Sequence, residues 1–130
     1  MMKPMILVFN MAQEHLAKLR FTCLRLGITV KPVEAQDFTQ PLGALCGMMD
    51  RQDVPAPEAP FEDDMLVMAN FSTQLVKQFL AAFRQSRIPN VKVKAVVTPT
   101  NVHWDCMKLH DELMKEREAV ARQGKAEHEE

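Results

Sequence analysis

The sequence lacks several features that would assign it to a broad class of protein. It has no tyrosine, one tryptophan and only four glycines in 130 residues. Its longest apolar run is about five residues, whereas a membrane-spanning helix needs about 18 or more, so no transmembrane segment is predicted. The glycines never form a glycine-rich turn after a predicted strand, and a phosphate-binding loop of the nucleotide-binding type is therefore not expected.

Charge and cysteine content exclude further classes. Sixteen basic and 17 acidic residues give a formal net charge of −1, which lacks the positive charge of a non-specific nucleic-acid binder, so no nucleic-acid partner is expected. Cys23, Cys46 and Cys106 are an odd number at wide spacings, and fit neither a disulfide framework nor a paired-cysteine zinc motif. The amino-terminal apolar stretch is too short for a signal peptide. We expect a cytoplasmic protein with reduced thiols and no membrane association.

Apolar strand patterns alternate with helical patterns along the chain. Strands are predicted at about residues 5–9, 28–33, 65–69 and 91–97, and helices at about 11–26, 41–49, 72–87 and 102–122. Residues 50–64 hold three prolines and six acids against one arginine, which is typical of a solvated linker. Residues 123–130 form a polar tail that we expect to fray. The prediction is a single α/β domain over residues 1–122, with halves at 1–49 and 65–122.

The order βαβα occurs twice, and the halves resemble each other when shifted by 60 residues, so that Asn10 falls on Asn70. This order favours a four-stranded, mostly parallel sheet covered by helices. The first and third strands are unbroken apolar runs, as in strands buried on both faces. The second strand contains Pro32 and the fourth contains lysines, both typical of sheet edges. The predicted strand order is therefore 2-1-3-4.

Polar side chains follow the predicted strands. In open α/β sheets, ligands bind beyond the carboxyl ends of strands where the strand order changes direction, which here lies between strands 1 and 3. The loops at these ends contain the following amides and hydroxyls: Asn10, Asn70, Thr98, Thr100 and Asn101. Helix capping explains the residue types at Asn10, Asn70, Thr100 and Asn101. The functional interpretation is a pocket in which these amides and free helix N–H groups bind a small anion. Helix capping and anion binding do not exclude each other.

Catalytic and metal constellations are sparse. His103, Cys106 and His110 lie at i, i+3 and i+7 of one predicted helix and could present three ligands to zinc. A helical projection places Cys106 with the core and both imidazoles at its flank, so we expect no metal and no cofactor. An enzyme would use Lys94 or Asp37 as its general acid or base, but neither has a paired titratable group with an orienting third residue. An enzyme of unknown reaction is the less favoured alternative.

Trp104 is the only tryptophan in the chain. On a helix that begins at Val102 it projects away from the apolar stripe, so we predict that it belongs to a recognition surface. The alternative is that the indole seals the end of the core, because helix phase is unreliable within the first turn.

The segment around the fourth strand resembles a known family. Lys94, Ala95, Thr98, Asn101 and Trp104 reproduce the pattern Lys-Ala-x-x-Thr-x-x-Asn-x-x-Trp, which resembles the signature before the last helix of a small bacterial family catalogued as domain of unknown function 3783. Residues 41–47 and 65–71 resemble the middle of the same family. The family has no assigned activity, so the resemblance implies a fold and a site location but no reaction.

These observations together predict a non-catalytic binding or regulatory module. We expect it to recognise a small polar ligand or a protein partner at the carboxyl edge of the sheet, and self-association is left open. The residues expected to bind are Asn10, Asn70, Lys94, Thr98, Thr100, Asn101 and Trp104.

Overall fold

The described residues form four strands and four α-helices, and a helix follows each strand. The structure, a computed structural model, describes residues 3–91 and 93–128. The strands are β1 (Met5–Phe9), β2 (Thr29–Val33), β3 (Met65–Ala69) and β4 (Val93–Val96). The helices are α1 (Gln13–Leu26), α2 (Leu42–Leu45), α3 (Thr73–Gln85) and α4 (Cys106–His128), and short 3-10 turns occupy Ala35–Asp37 and Asn101–His103. Within the described part of the chain, no helix is both long and apolar enough to cross a membrane.

The strands form one open sheet in the order β2-β1-β3-β4, which confirms the predicted order. Pairing is parallel between β1 and β2 and between β3 and β4, so the sheet is mostly parallel, as predicted. The central pair is antiparallel, with Met5 opposite Ala69 and Phe9 opposite Met65. Because β1 and β3 run in opposite directions, their carboxyl ends lie on opposite sides of the sheet along the strand direction.

The two halves of the chain are related by approximate two-fold symmetry. Leu7 lies opposite Val67 at the centre of the antiparallel pair, and these residues are 60 positions apart. The Asn10 amide donates a hydrogen bond to the carbonyl oxygen of Asp63, and the Asn70 amide donates one to that of Lys3. Both contacts map onto each other under the same shift of 60 residues, so the internal repeat seen in the sequence is also a structural repeat.

Each face of the sheet carries its own apolar core. On one face, α1 and α3 cover the side chains of Ile6, Val8, Leu66 and Met68. On the other face, Leu7, Phe9, Met65 and Val67 pack against Leu42, Leu45, Cys106 and Leu109 from α2 and α4. The alternation follows from the period of two in a strand. Because both faces are covered, β1 and β3 must be apolar at every position, as their sequences are.

Several helix ends differ from the sequence prediction. Helix α1 begins after Ala12, and Asn10 instead adopts a left-handed conformation with φ 59°. Asn10 is therefore no helix cap, and the αL region is one that Asn tolerates better than most residues. The Ser72 hydroxyl caps α3 by accepting from the Leu75 N–H at 3.1 Å.

The last helix begins later and ends later than predicted. The 3-10 turn Asn101–His103 precedes it, and α4 starts at Cys106 rather than Val102. The Asp105 carboxylate accepts from the Lys108 N–H at 2.7 Å and so occupies a cap position. The helix continues to His128 through most of the expected tail, and residues 129 and 130 lie outside the described residues.

Residues 50–64, here called the acidic segment, connect the two halves along the α2/α4 face. The segment has no helix or strand, but it is attached at both ends. Gln52 exchanges two hydrogen bonds of 2.8 Å with the buried Gln40 side chain, and the Pro55 carbonyl accepts from the Thr39 hydroxyl at 2.6 Å. Phe61 packs against the apolar core of that face. The acidic segment is thus bound to the fold rather than a freely solvated linker.

Candidate functional site

The antiparallel central pair divides the site predicted at the carboxyl edge of the sheet. Asn10 follows β1 and Asn70 follows β3, so the two residues lie at opposite ends of the central strand pair. In the register of this pair, the positions of Asn10 and Asn70 are six residues apart along the strand direction. At about 3.3 Å per residue this separation is roughly 20 Å. Asn10 and Asn70 therefore do not face each other across one pocket.

The two asparagines hold the chain at equivalent corners. Asn10 and Asn70 have φ of 59° and 63°. The Asn10 amide donates to the carbonyl oxygens of Phe61 at 2.8 Å and Asp63 at 3.0 Å, whereas the Asn70 amide donates only to Lys3 at 3.4 Å. Asn10 thereby connects β1 to the end of the acidic segment.

This difference predicts unequal effects of the same substitution. Glycine accepts positive φ without strain, so Asn10→Gly removes two good hydrogen bonds, and Asn70→Gly removes one long bond. We expect Asn10→Gly to lower the free energy of unfolding by about 1–2 kcal/mol, and Asn70→Gly by less than about 0.5 kcal/mol. Urea denaturation of both variants measures this, and equal losses would contradict it.

Thr98 and Asn101 form a closed loop after β4. The Asn101 side-chain oxygen accepts from the Thr98 N–H at 2.8 Å, and the Thr98 hydroxyl accepts from the Asn101 N–H at 3.0 Å. The Asn101 amide also donates to the Val96 carbonyl at 3.0 Å, and the residue is buried. Both side chains are occupied by their own loop, and their hydrogen bonds define the path of the chain from β4 toward α4.

Trp104 lies between that loop and α4 and is half-buried. Its ring packs against the α2/α4 core, with the Lys108 ammonium 4.7 Å from the ring centroid. Its carbonyl oxygen accepts from the Leu42 N–H at 2.8 Å, which joins the second half of the chain to α2. This arrangement corresponds to the alternative in which the indole seals one end of the core.

Lys94 and Thr100 complete the predicted set. The Lys94 ammonium donates to the Asn90 side-chain oxygen at 3.0 Å and lies 5.4 Å from the centroid of the Phe83 ring. Burial lowers the pKa of Lys94, and the nearby charges of Arg117 and Arg84 lower it further. Thr100 is exposed and makes no capping hydrogen bond through its side chain. The structure brings Thr98, Thr100, Asn101 and Trp104 together as consecutive parts of one loop.

Of the five signature residues, Lys94 and Ala95 lie in β4, and Thr98, Asn101 and Trp104 lie in the loop from β4 to α4. A family model described as a domain of unknown function (DUF3783) matches residues 64–120. Residues 64–120 belong to the DUF3783 family. The match covers β3, α3, β4 and most of α4, and it does not extend to residues 41–47. No curated protein and no solved structure shows significant similarity to the chain.

Two pairs of titratable groups attach the acidic segment to the rest of the fold. The Asp37 carboxylate accepts from Arg51 at 2.7 Å, and the His110 Nε2 lies 2.8 Å from an Asp63 carboxylate oxygen. Asp37 and Lys94, the two candidate catalytic groups, thus each have a partner. His103 is exposed and Cys106 is buried, and among the described residues no group of three or more acidic, histidine or cysteine side chains could hold a metal ion.

The cysteine thiols are buried in the core. Burial raises the pKa of Cys23 to about 12 and that of Cys46 to about 11, with the Lys31 charge opposing the rise at Cys46. Burial also raises the pKa of Cys106. Because the thiolate is the reactive form, all three are inert at neutral pH.

The surface that sequence reasoning missed is the outer face of α1 and α3. Residues 11–28 and 71–90, which contain both helices, carry six basic residues against the single acid Glu14, a formal charge of +5. The rest of the chain therefore carries −6, and the net charge of −1 conceals a strong asymmetry. We call this surface the basic face, and its cations, all exposed, are Lys18, Arg20, Arg25, Lys77, Arg84 and Arg87.

A groove runs between α1 and the carboxyl end of α3 on the basic face. It has a volume of about 760 Å³, and its apolar lining comes from Ala17, Phe21, Leu26 and Ala82. Phe21 is 66% exposed and the neighbouring Leu24 is 77% exposed. The groove is bordered by Lys18, Arg25 and Arg87. One wall belongs to the DUF3783 segment, and the other lies outside it.

Arg87 occupies a strained position at this groove. Its φ is 65°, and the residue 60 positions earlier is Gly27, with φ 71°. Both residues follow a helix where the chain turns left-handed, a position that glycine usually fills. Only one half of the repeat has the favoured residue, and the other half has a cation that borders the groove. Strained backbone often coincides with functional positions.

The strain at Arg87 can be measured. Arg87→Gly relieves the unfavourable φ, so we expect it to raise the free energy of unfolding by up to about 1 kcal/mol, whereas most substitutions lower it. Arg84→Gly, in the last turn of α3, is the control at a helical position and should lower it by up to about 1 kcal/mol. Loss of stability in Arg87→Gly would show that its side-chain contacts outweigh the strain.

Proposed function

We propose that the protein is a non-catalytic binding module that recognises an acidic segment of a protein partner at the groove of the basic face. One observation carries the proposal: a concave apolar surface with an exposed aromatic ring, Phe21, lies within a surface of formal charge +5. Exposed apolar patches with a polar border are typical of protein-binding sites. We propose the groove as the binding site in place of the carboxyl ends of the strands. The antiparallel central pair separates those ends, so they do not form one site.

The chemistry of the surface supports a peptide rather than a small polar ligand. The apolar lining of the groove offers contact area, and aromatic residues and arginine are the types most often found at binding hot spots. The cations around it would attract an acidic segment over distances up to the Debye length of about 10 Å. By contrast, the amides of Asn10 and Asn101 are already hydrogen-bonded to their own backbone.

A comparative capture experiment tests this function. Tagged protein is used to capture partners from lysate of its source, with and without nuclease treatment, alongside Lys18→Gln/Phe21→Ser as the groove variant. The control is Lys115→Gln, which removes a cation from α4, away from the basic face. A direct partner, afterwards purified and measured by calorimetry, should bind wild type and control alike and the groove variant at least about tenfold more weakly.

Three outcomes would contradict the proposal. One is equal binding by the groove variant. Another is capture that nuclease abolishes, which would identify a nucleic acid as the ligand. The third is a metabolite that raises the melting temperature of the groove variant as much as that of wild type.

A further inference from the structure

The surface opposite the basic face is acidic, extended and exposed. The acidic segment lies on the α2/α4 side of the sheet, where Phe61 packs against the core of that face. Asp53 and Glu58 are exposed, and Val54 is 41% exposed. The groove lies on the α1/α3 side, so the sheet separates the two surfaces. A chain therefore cannot place its own acidic segment in its own groove.

We infer that the groove of one copy binds the acidic segment of a second copy, head to tail. This inference rests on the proposed function, because it names the occupant of the same groove. The second copy presents the carboxylates of its acidic segment, whose formal charge is negative, to the basic face, whose formal charge is +5. Opposite charges on separate faces of one chain are complementary between copies.

The acidic segment also fits the groove in shape. Val54, Ala56 and Ala59 each precede a proline, and this position disfavours helical backbone. At about 3.1 Å per residue for extended proline-rich chain, Asp53 and Glu58 are about 15 Å apart. The α1 wall of the groove, from Ala17 to Leu26, is about 14 Å long at 1.5 Å per residue.

The apolar chemistry matches as well. Grooves lined by aromatic side chains recognise proline-rich segments, because proline rings pack against aromatic faces and the segment loses little entropy on binding. Phe21 supplies the aromatic ring, and Pro55 and Pro57 lie between Asp53 and Glu58. Hydrogen bonds to Gln52 and Pro55 already order one end of the segment. Prior ordering reduces the entropic cost of association.

A head-to-tail contact between different surfaces has a specific consequence for assembly. It leaves one free groove and one free acidic segment at the ends of each dimer, so association continues with concentration unless a ring closes. The same contact also competes with any external acidic partner for the groove. Sedimentation velocity of the full-length protein should show a mass that rises with concentration at low salt and falls at high salt.

Two neutralising variants test the contact from both sides. Lys18→Gln/Phe21→Ser alters only the groove, and Asp53→Asn/Glu58→Gln alters only the acidic segment, in each case at exposed positions. We expect each variant alone to associate at least about tenfold more weakly than wild type. Their equimolar mixture retains one intact groove and one intact acidic segment, so it should form a dimer and stop there. Lys115→Gln is the control and should behave as wild type.

Each result decides one point. A wild-type protein that remains monomeric at all concentrations overturns the inference, as does association that survives both variants. Association lost in the groove variant but kept in the segment variant also overturns it, since another segment must then occupy the groove. The proposed function is retained after any of these results if an external acidic partner binds wild type and binds the groove variant more weakly. It is contradicted, independently of self-association, if no partner depends on the groove.

Discussion

Phe61→Ala is expected to lower the free energy of unfolding by about 3 kcal/mol, the lower end of the range for deleting a buried ring. Phe61 lies between two aromatic rings, with its centroid 4.6 Å from Phe38 and 4.1 Å from the nearly parallel His110 ring. The truncation removes this packing and also the contact of the Phe61 ring with the Phe9 ring, whose centroid is 5.9 Å away. For a chain of this size the loss corresponds to a fall of roughly 10 °C in the melting temperature.

The control lies in the same segment. Val54→Ala removes an exposed side chain, so we expect a change of no more than about 0.5 kcal/mol. Urea denaturation followed by circular dichroism gives both values, and hydrogen exchange should show faster exchange in residues 50–64 of Phe61→Ala only. If both variants unfold like wild type, the acidic segment is the solvated linker that its composition predicts.

Asn101→Ala should have a comparable effect through hydrogen bonding. The substitution removes the acceptor of the Thr98 N–H and the donor to the Val96 carbonyl. Unsatisfied buried polar groups cost about 1–3 kcal/mol each. We therefore expect a loss of about 3 kcal/mol in the free energy of unfolding, together with a looser path from β4 to α4.

Two further variants separate this cause from a general sensitivity of the loop. Thr100→Ala removes an exposed hydroxyl that caps nothing, and should change stability by less than about 0.5 kcal/mol. Asn101→Asp retains an oxygen toward the Thr98 N–H but loses the donor to Val96, so its stability should fall between those of wild type and Asn101→Ala. A small loss in Asn101→Ala would show that solvent replaces the hydrogen bonds, and that the family pattern has another cause.

The charge distribution along the chain shows why composition concealed the basic face. Lys18, Arg25 and Arg87 are never adjacent along the chain, so no run of basic residues marks them. They meet only because α1 and α3 lie side by side on the same face of the sheet. A helical projection of each segment could have exposed Phe21 and Leu24 as apolar residues outside the core stripe.

The sequence by itself determined the alternating elements and the strand order. Unbroken apolar runs require two covered faces, which places β1 and β3 at the centre, whereas Pro32 and Lys94 are typical of edge strands. It also determined the internal repeat, because the shift of 60 residues is visible in the residues themselves. The family resemblance rested on local residue identity, and the match of the family model to residues 64–120 confirms the family.

Only the tertiary structure decided the direction of the central strands, and with it the location of the site. A strand buried on both faces has the same apolar pattern whether its neighbour is parallel or antiparallel, so the sequence carries no signal for this choice. The antiparallel pair separates Asn10 from Asn70. Likewise, composition predicts solvation for residues 50–64, but the single aromatic Phe61 finds a site between Phe38 and His110 that exists only after both halves have folded.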